Sequence, residues 1–385
     1  ATYDGTIIAN EMGISTQGDH SASIATDRGG GNISVTNSTL STAGSGSPLL
    51  YSTGDIEVSG VTGTATGSQI AGMEGLNTVL INNSTLSSTI TEKTASDPIA
   101  NAVIIYQSTS GDAESTTGEA ATFQAVGSKL SSAIQSGSFF YVTNTTANIL
   151  LQGTTLDYDS SAANLIQVEG NDSNNWGTAG SNGGTATLTL AGENVTGNVS
   201  VDTISSLALY LTGNSTWTGA ASITENANGS TSDSPITVNV DDGSTWVVTA
   251  DSTVLALNVA SGGSVVDESG KTVTIVANGQ TVVQGDSSLT VTVTGSYSTT
   301  YDGSGASTVS PDRIDRSAFD AEYGTSTTFA MGDSTSVSAS DVAQASTAPS
   351  SSAEATASTN DATSASTGNV FLDIWNAIVD FFTGR

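Results

Sequence analysis

The sequence predicts an all-β fold, a right-handed parallel β-helix (solenoid), and three observations predict it. Apolar residues that open short alternating strands recur at Ile7, Ile33, Ile56, Val79, Phe123, Ile149, Leu188, Leu209 and Val238. By subtraction their separations are 26, 23, 23, 44, 26, 39, 21 and 29 residues. A second apolar residue follows seven positions on, at Ile14, Leu40, Leu86, Leu130, Leu156 and Val195. A further apolar strand follows seventeen on, at Ile24, Leu50, Met73, Phe140 and Ile166. A period in the twenties with two or three short strands per repeat is that of a stacked coil, which buries its inner face only against its neighbours.

The coil from Gly31 to Gly54 shows the grammar. Ile33 and Val35 point one way and Ser34 and Thr36 the other, as in a strand with one buried face. Asn37-Ser38 turns the chain, Leu40 returns inward, Gly44 to Pro48 makes a wider corner, and Leu49 to Tyr51 forms the next strand. Longer coils carry insertions: Thr91 to Pro98, Ser110 to Ala120, and Gly170 to Gly184. The last two leave from one corner, a coil apart, so they are expected on one edge about 10 Å from each other. Insertions on one face are often where a repeat protein binds.

The solenoid is expected to run over residues 1–303, less regular beyond Val254. A short helical extension follows over 304–331, with Ser310 as N-cap, Pro311 in the first turn and Gly324 as the stop of a helix from Pro311 to Tyr323. Residues 332–368 are rich in Ser, Thr and Ala and read as a flexible linker. Residues 369–385 form an amphipathic helix: Phe371, Ile374, Trp375, Ile378, Val379 and Phe382 share a face. That face is expected to dock on protein, either capping its own solenoid or meeting the first coil of a second copy head to tail. The first coil begins close to Ala1 without a capping element. An export signal and cap lying upstream, or a partner covering that coil, is therefore expected.

Composition narrows function. With 7 Lys and Arg against 37 Asp and Glu the net charge is −30, which repels nucleic acid and anionic membrane surfaces. There are no cysteines, so no disulfide or thiolate metal site. No apolar run reaches the length of a membrane span. The wealth of Ser, Thr, Gly and Asn with scarce Lys points to a secreted or surface protein. Sequons such as Asn37-Ser38-Thr39, Asn144-Thr145-Thr146 and Asn214-Ser215-Thr216 read first as turn and ladder residues and only weakly as glycan sites.

Five phrases carry a resemblance: HSASIATDRGGGNISV from His20, PLLYSTGDIEV from Pro48, VIIYQSTSGDAE from Val103, FFYVTNTTANILL from Phe139 and NWGTAGSNGGTATLTL from Asn175. In that order they resemble bacterial right-handed parallel β-helix surface proteins with adhesin-like, passenger-type repeats. The resemblance covers residues 1 to about 300. It implies an exported β-helix and supplies no catalytic site.

Catalytic chemistry is thinly represented. The basic residues Arg28, Lys93, Lys129, Lys271, Arg313, Arg316 and Arg385 are too scattered for a polysaccharide lyase. Asp157 with Asp159 and Asp241 with Asp242 are the carboxylate pairs a hydrolase could use, but they read as a solvated face and a turn. His20 stands alone, and Asp19-His20 reads as a turn. Gly29 to Gly31 lacks the lysine of a phosphate loop. The threonine strings at Thr185, Thr187 and Thr189 and at Thr290, Thr292 and Thr294 lie in coils too unequal for ice binding.

The expected function is structural or adhesive, without catalysis or a required cofactor, with a host or matrix glycan, a protein or a second copy as partner. The alternative is a carbohydrate-binding or polysaccharide-degrading β-helix that uses the insert loops at 110–120 and 170–184. There Trp176 would stack on a sugar while Asp112, Glu114 and Asp172 hold Ca2+ or water. Against that stands a decorated loop with Trp176 tucked onto the coil.

Overall fold

The computed structural model describes residues 1–109, 120–173, 176–229 and 235–325. Asp112, Glu114, the 332–368 linker and the apolar face from Phe371 to Phe382 all lie outside the described residues. The described residues form a parallel β-helix followed by one short helix. Its largest sheet has thirteen strands, running coil by coil from Thr6–Asn10 to Ser252–Val259 and then Thr290–Ser298, Thr274–Ala277 and Gln280–Val283. Only the last pair is antiparallel, closed by a turn in which Asn278 and Gly279 both have positive φ.

Every anchor of the main sheet lands in one row. Ile7 pairs with Ile33, and the register continues through Ile56, Val79, Phe123, Ile149, Leu188, Leu209 and Val238 to Leu257. From Ile33 onward all are buried, whereas Ile7, on the edge strand, stays exposed. Six strands make the second sheet, with Ile14, Leu40, Gly63, Leu86, Leu130 and Leu156 in register. At Gly63 an added Cβ would lie 2.9 Å from Leu49 Cδ1, so neighbouring leucines fill that place. A separate four-stranded sheet follows, with Val195, Trp217, Trp246 and Val265 in register. Trp217 and Trp246 stack at 4.8 Å, each indole N–H donating to the carbonyl of Gly197 or Gly219.

The third sheet has eight strands, with Ile24, Leu50, Ala71, Val103, Phe140, Ile166, Val199 and Ala221 in register. One expectation needs correcting here. Met73 is not in this row; Ala71 is, and Met73 faces Ser52 and Ile105 one alternation further along. The corner before it is two residues shorter than in the preceding coil. A shift of two preserves the face of a strand, so Met73 is still fully buried.

The corner between the first two sheets repeats a polar device. The residue before each rung takes a left-handed conformation: Glu11, Asn37, Gly60, Asn83, Gly127, Gly153, Gly192, Asn214 and Gly243 all have positive φ. These are largely Gly and Asn, which tolerate that region best. Soon after comes a side-chain oxygen that accepts the corner N–H of the preceding coil. Ser38 Oγ accepts from Met12 at 2.9 Å, Ser84 from Val61 at 3.0 Å and Ser128 from Ser84 at 3.1 Å. Thr154 accepts from Ser128 at 3.3 Å, Glu193 from Thr154 at 2.7 Å, Ser215 from Glu193 at 2.9 Å and Ser244 from Ser215 at 3.0 Å. The hydroxyls of Ser38, Ser84 and Ser128 also donate to carbonyls of their own coil. Buried amides that the sheets leave free are thereby met. The sequons at Asn37, Asn83 and Asn214 are the trace of this device: turn residue, ladder hydroxyl, first strand residue.

The segment after the last strand departs from expectation. The helix spans Ser317–Tyr323, not Pro311 to Tyr323, and Arg316 rather than Ser310 stands at its N-cap; Gly324 ends it in the left-handed region. Residues 301–316 instead form a strap that returns along the outer face of the main sheet. Tyr301 packs edge-on to Tyr210, Ser307 N–H donates to Thr189 Oγ1 at 2.8 Å, and Ser310 N–H to Gln124 Oε1 at 2.8 Å. Arg313 N–H donates to Glu57 Oε1, and its guanidinium reaches Thr78 and Asp55. Arg316 donates to Ser34 Oγ at 2.8 Å and Thr36 Oγ1 at 3.2 Å. Five strand spacings separate Thr189 from Ser34, roughly 24 Å at ~4.8 Å each. Nine residues separate Ser307 from Arg316, which spans that distance only if nearly extended, at up to ~3.3 Å per residue.

Candidate functional site

The described residues of the insert, 170–173 and 176–184, lie on the outer face of the third sheet, opposite the interior row. Asn171 and Asn182 tie it down. Asn182 Nδ2 donates to the carbonyls of Asn171 at 2.8 Å and Trp176 at 2.9 Å, and Asn171 Nδ2 donates to Thr143 Oγ1 at 2.8 Å. Trp176 then lies on Tyr106 with ring centroids 4.1 Å apart and planes 16° apart, and only 5% of it is exposed. Of the two readings of Trp176 this is the decorated loop tucked onto the coil, not the sugar platform: its face is already used by Tyr106. Asp172 is exposed and accepts from Asn228 Nδ2 at 3.2 Å, so it stays on the surface near the insert. Among the described residues no three acidic or histidine side chains converge as a metal would require.

The same face carries a row of tyrosines that sequence reasoning missed. Tyr51 and Tyr106 both donate to Glu74 Oε2, at 2.6 and 3.1 Å, so three polar groups from neighbouring coils close on one another. Burial pushes the Tyr106 hydroxyl well up, and the charge of Glu74 adds to it. Tyr141 lies further along, in the strand Ser138–Thr143, and is fully buried. The signal was available in sequence: Tyr51, Tyr106 and Tyr141 occupy outward strand positions where small polar residues are the rule elsewhere.

Beside Tyr141 runs an open groove of about 450 Å³. One wall is the insert that holds Lys93, Pro98 and Ile99; the other is formed by turns at 169–173 and 224–228, with Asp202 between. Asp202 is structural: its Oδ2 accepts from Gly170 N–H at 2.9 Å and Asn226 Nδ2 at 2.7 Å, and its Oδ1 from Ile204 N–H at 3.3 Å. Burial raises the Glu169 carboxyl, with Gln167 opposing and Asp202 adding to the rise. Nearby Asp97 is pushed up to about 7, again chiefly by burial, against its hydrogen bond from Asn101 and the charge of Lys93.

The carboxylate pairs considered from sequence are brought to no common site. Asp157 pairs with Lys129 at 2.7 Å on an exposed edge, and Asp159 accepts from the backbone and hydroxyl of Ser161. Asp241 accepts from Gly213 N–H at 2.8 Å and from the Ser244 hydroxyl, ordering the corner around it. Asp19 Oδ1 accepts from Ser45 N–H at 2.9 Å and His20 N–H donates to the Ser45 carbonyl at 2.9 Å, which makes this pair a turn. Among the described residues no helix is long and apolar enough to cross a membrane. Compared with known proteins, the chain matches no family model, no curated protein and no solved structure.

Proposed function

We propose that this chain is a secreted or surface-displayed β-helix whose work is structural or adhesive, of the adhesin-like kind its repeats resemble. One observation carries the reading: a single register links the main-sheet anchors from Ile7 to Leu257 without a break. Such a scaffold adds length with each coil and holds corner loops at a fixed spacing of about 4.8 Å. The net charge of −30 and the short polar outer residues suit solubility outside the cell. Protease treatment of intact cells tests it, read by fragments of this chain in the medium. Release of solenoid fragments is expected, together with binding of the purified chain to immobilised matrix. Recovery only after lysis would reject it.

A further inference from the structure

The side chains beneath the strap alternate with a period of two coils. Along one outward row of the main sheet stand Thr189, Leu150, Gln124, Leu80 and Glu57, in register from strand to strand. An oxygen acceptor therefore occurs in every second coil, with a leucine between each pair. All five are buried although they face away from the interior of the solenoid.

The strap meets this row with its backbone. The N–H groups of Ser307, Ser310 and Arg313 donate to Thr189 Oγ1, Gln124 Oε1 and Glu57 Oε1. These donors lie three residues apart, and their acceptors lie two coils apart. A polyproline-II chain advances three residues in about 9.3 Å. Two coils rise about 9.6 Å. One turn of such a chain thus matches one period of the row, and donors return to acceptors without drift. Pro311 suits that conformation, and its missing N–H falls off the donor positions. Residues 306–316 belong to no sheet, and apart from Ile314 and Arg316 they keep some exposure. Arg313, one of only seven basic residues in the chain, pairs with Asp55 at 3.2 Å, so charge as well as spacing fits segment to row. Main-chain hydrogen bonds at a fixed spacing, with apolar contacts between them, are how a surface holds an extended peptide.

We propose that this row is a docking track for an extended segment, and that residues 306–316 are its ligand, taken from the same chain or from a second copy. The tether after Ser298 keeps the chain's own segment at high effective concentration, so that segment wins in dilute solution. The segment of a neighbour has the same donors at the same spacing and takes the track once the tether is cut. Copies are then linked without any further surface.

A synthetic peptide covering residues 301–325, labelled at its N-terminus and titrated by fluorescence anisotropy, tests it. The protein is the full chain with a protease site inserted between Thr299 and Thr300, both exposed, used before and after cutting. The peptide should exchange onto the cut protein and bind the uncut one at least about tenfold more weakly. In the peptide, Ser307→Pro and Ser310→Pro each remove one donor but keep the extended form, and each should weaken binding about 5- to 10-fold. Thr308→Pro, one residue off the donor positions, should bind as the native peptide does. Decaproline, which has the form without the donors, should be inert. The proposal is overturned if the peptide fails to bind the cut protein, if Thr308→Pro costs as much as Ser310→Pro, or if decaproline binds as well. Equal binding before and after cutting would also overturn it, since the peptide would then sit elsewhere. So would loss of the native thermal transition on cutting, which would make the strap a fixed part of the solenoid instead of a ligand.

Discussion

The corner ladder and the return strap solve one problem in opposite ways. Both satisfy polar groups that stacked coils would otherwise bury alone. The ladder does so by repetition: each coil contributes one oxygen, and each oxygen serves the coil before it. The strap does so in a single pass, laying one extended segment over side chains from successive strands. A repeated device cannot yield at one place without opening the solenoid there. A single-pass device can lift while the coils beneath it stay stacked. Each holds one carboxyl pushed up to about 7 by burial, Glu193 in the ladder and Glu57 under the strap, so nearly the same chemical insult can be applied to both.

The largest effect should come from the interior that both devices enclose. Phe140 is fully buried in the third-sheet row, edge-on to Phe123 and packed on Phe139. Phe140→Ala should cost about 3–5 kcal/mol as a cavity. Chemical denaturation should show it as a shift of the whole transition, and a change confined to one local probe would mean that the coils do not unfold together.

Next comes Glu193. Its carboxyl lies at 4.5 in the unfolded chain and about 7 in the folded one, so between those values the folded state keeps a proton that the unfolded state has lost. Stability contributed by the neutral form is therefore full below about pH 4.5 and drains away as pH rises to about 7. A shift of that size corresponds to on the order of 3 kcal/mol. Glu193→Gln keeps an oxygen for the Thr154 N–H but has no proton to lose, so its fall in stability from pH 4.5 to 8 should be smaller by that amount. A residual slope is expected from the other raised carboxyls. Equal slopes in the variant and the native chain would remove Glu193 from the ladder's energetics.

Ser84→Ala takes one rung away. Val61 N–H then loses its acceptor inside the corner, at a cost of about 1–3 kcal/mol. Ser38 occupies the equivalent corner two coils earlier but serves the more exposed Met12, so Ser38→Ala should cost less. Thermal melts of the two variants rank them, and the reverse order would contradict a ladder whose value depends on burial.

How much of this was legible in the sequence follows from the same contrast. The interior rows were readable because each coil repeats its alternation, and the sequons at Asn37 and Asn214 are the turn and ladder residues they read as, whereas Thr145 in the Asn144 sequon forms no rung. Met73 was misplaced by two because a corner shortened, a change that spacing counts feel and facing does not. The strap was hidden because its partners lie 118 to 282 residues away and occur once. Pro311 misled as well, since its fixed φ suits an extended strap as readily as a first helical turn. The clue lay in the covered sheet: Leu80 and Leu150 stand at outward positions in the row that contains Ser34 and Thr189, where alternation calls for polar residues. The groove was harder still. Its walls come from two inserts and a separate turn at 224–228, and Trp176, the residue that drew notice, serves to hold one of the inserts down.

The smallest effect is the one that separates the two devices. Glu57 is fully buried, and its Oε1 accepts the Arg313 N–H. Burial is the chief cause of its raised pKa; Asp312 and Asp55 add repulsion, and the amides of Arg313 and Ile314 oppose it. Arg316, close enough to feel its charge, remains bonded to Ser34 and Thr36. Between pH 4.5 and about 7 the closed strap holds a proton that a lifted strap would release, so closure weakens as pH rises through that window. Unlike Glu193, this carboxyl can reach water by local opening. Lifting the strap leaves Glu57 on the sheet beside Asp55 and so recovers only part of that shift; amide exchange at Arg313 and Ile314, corrected for its intrinsic pH dependence, should therefore quicken about tenfold from pH 5 to 8. Exchange in the strand Thr78–Asn82 beneath should not follow it. Glu57→Gln should flatten the response. Strap and strand exchanging in step across the pH range would show that the strap is as much a part of the cooperative solenoid as the ladder, and the contrast between the two regions would be lost.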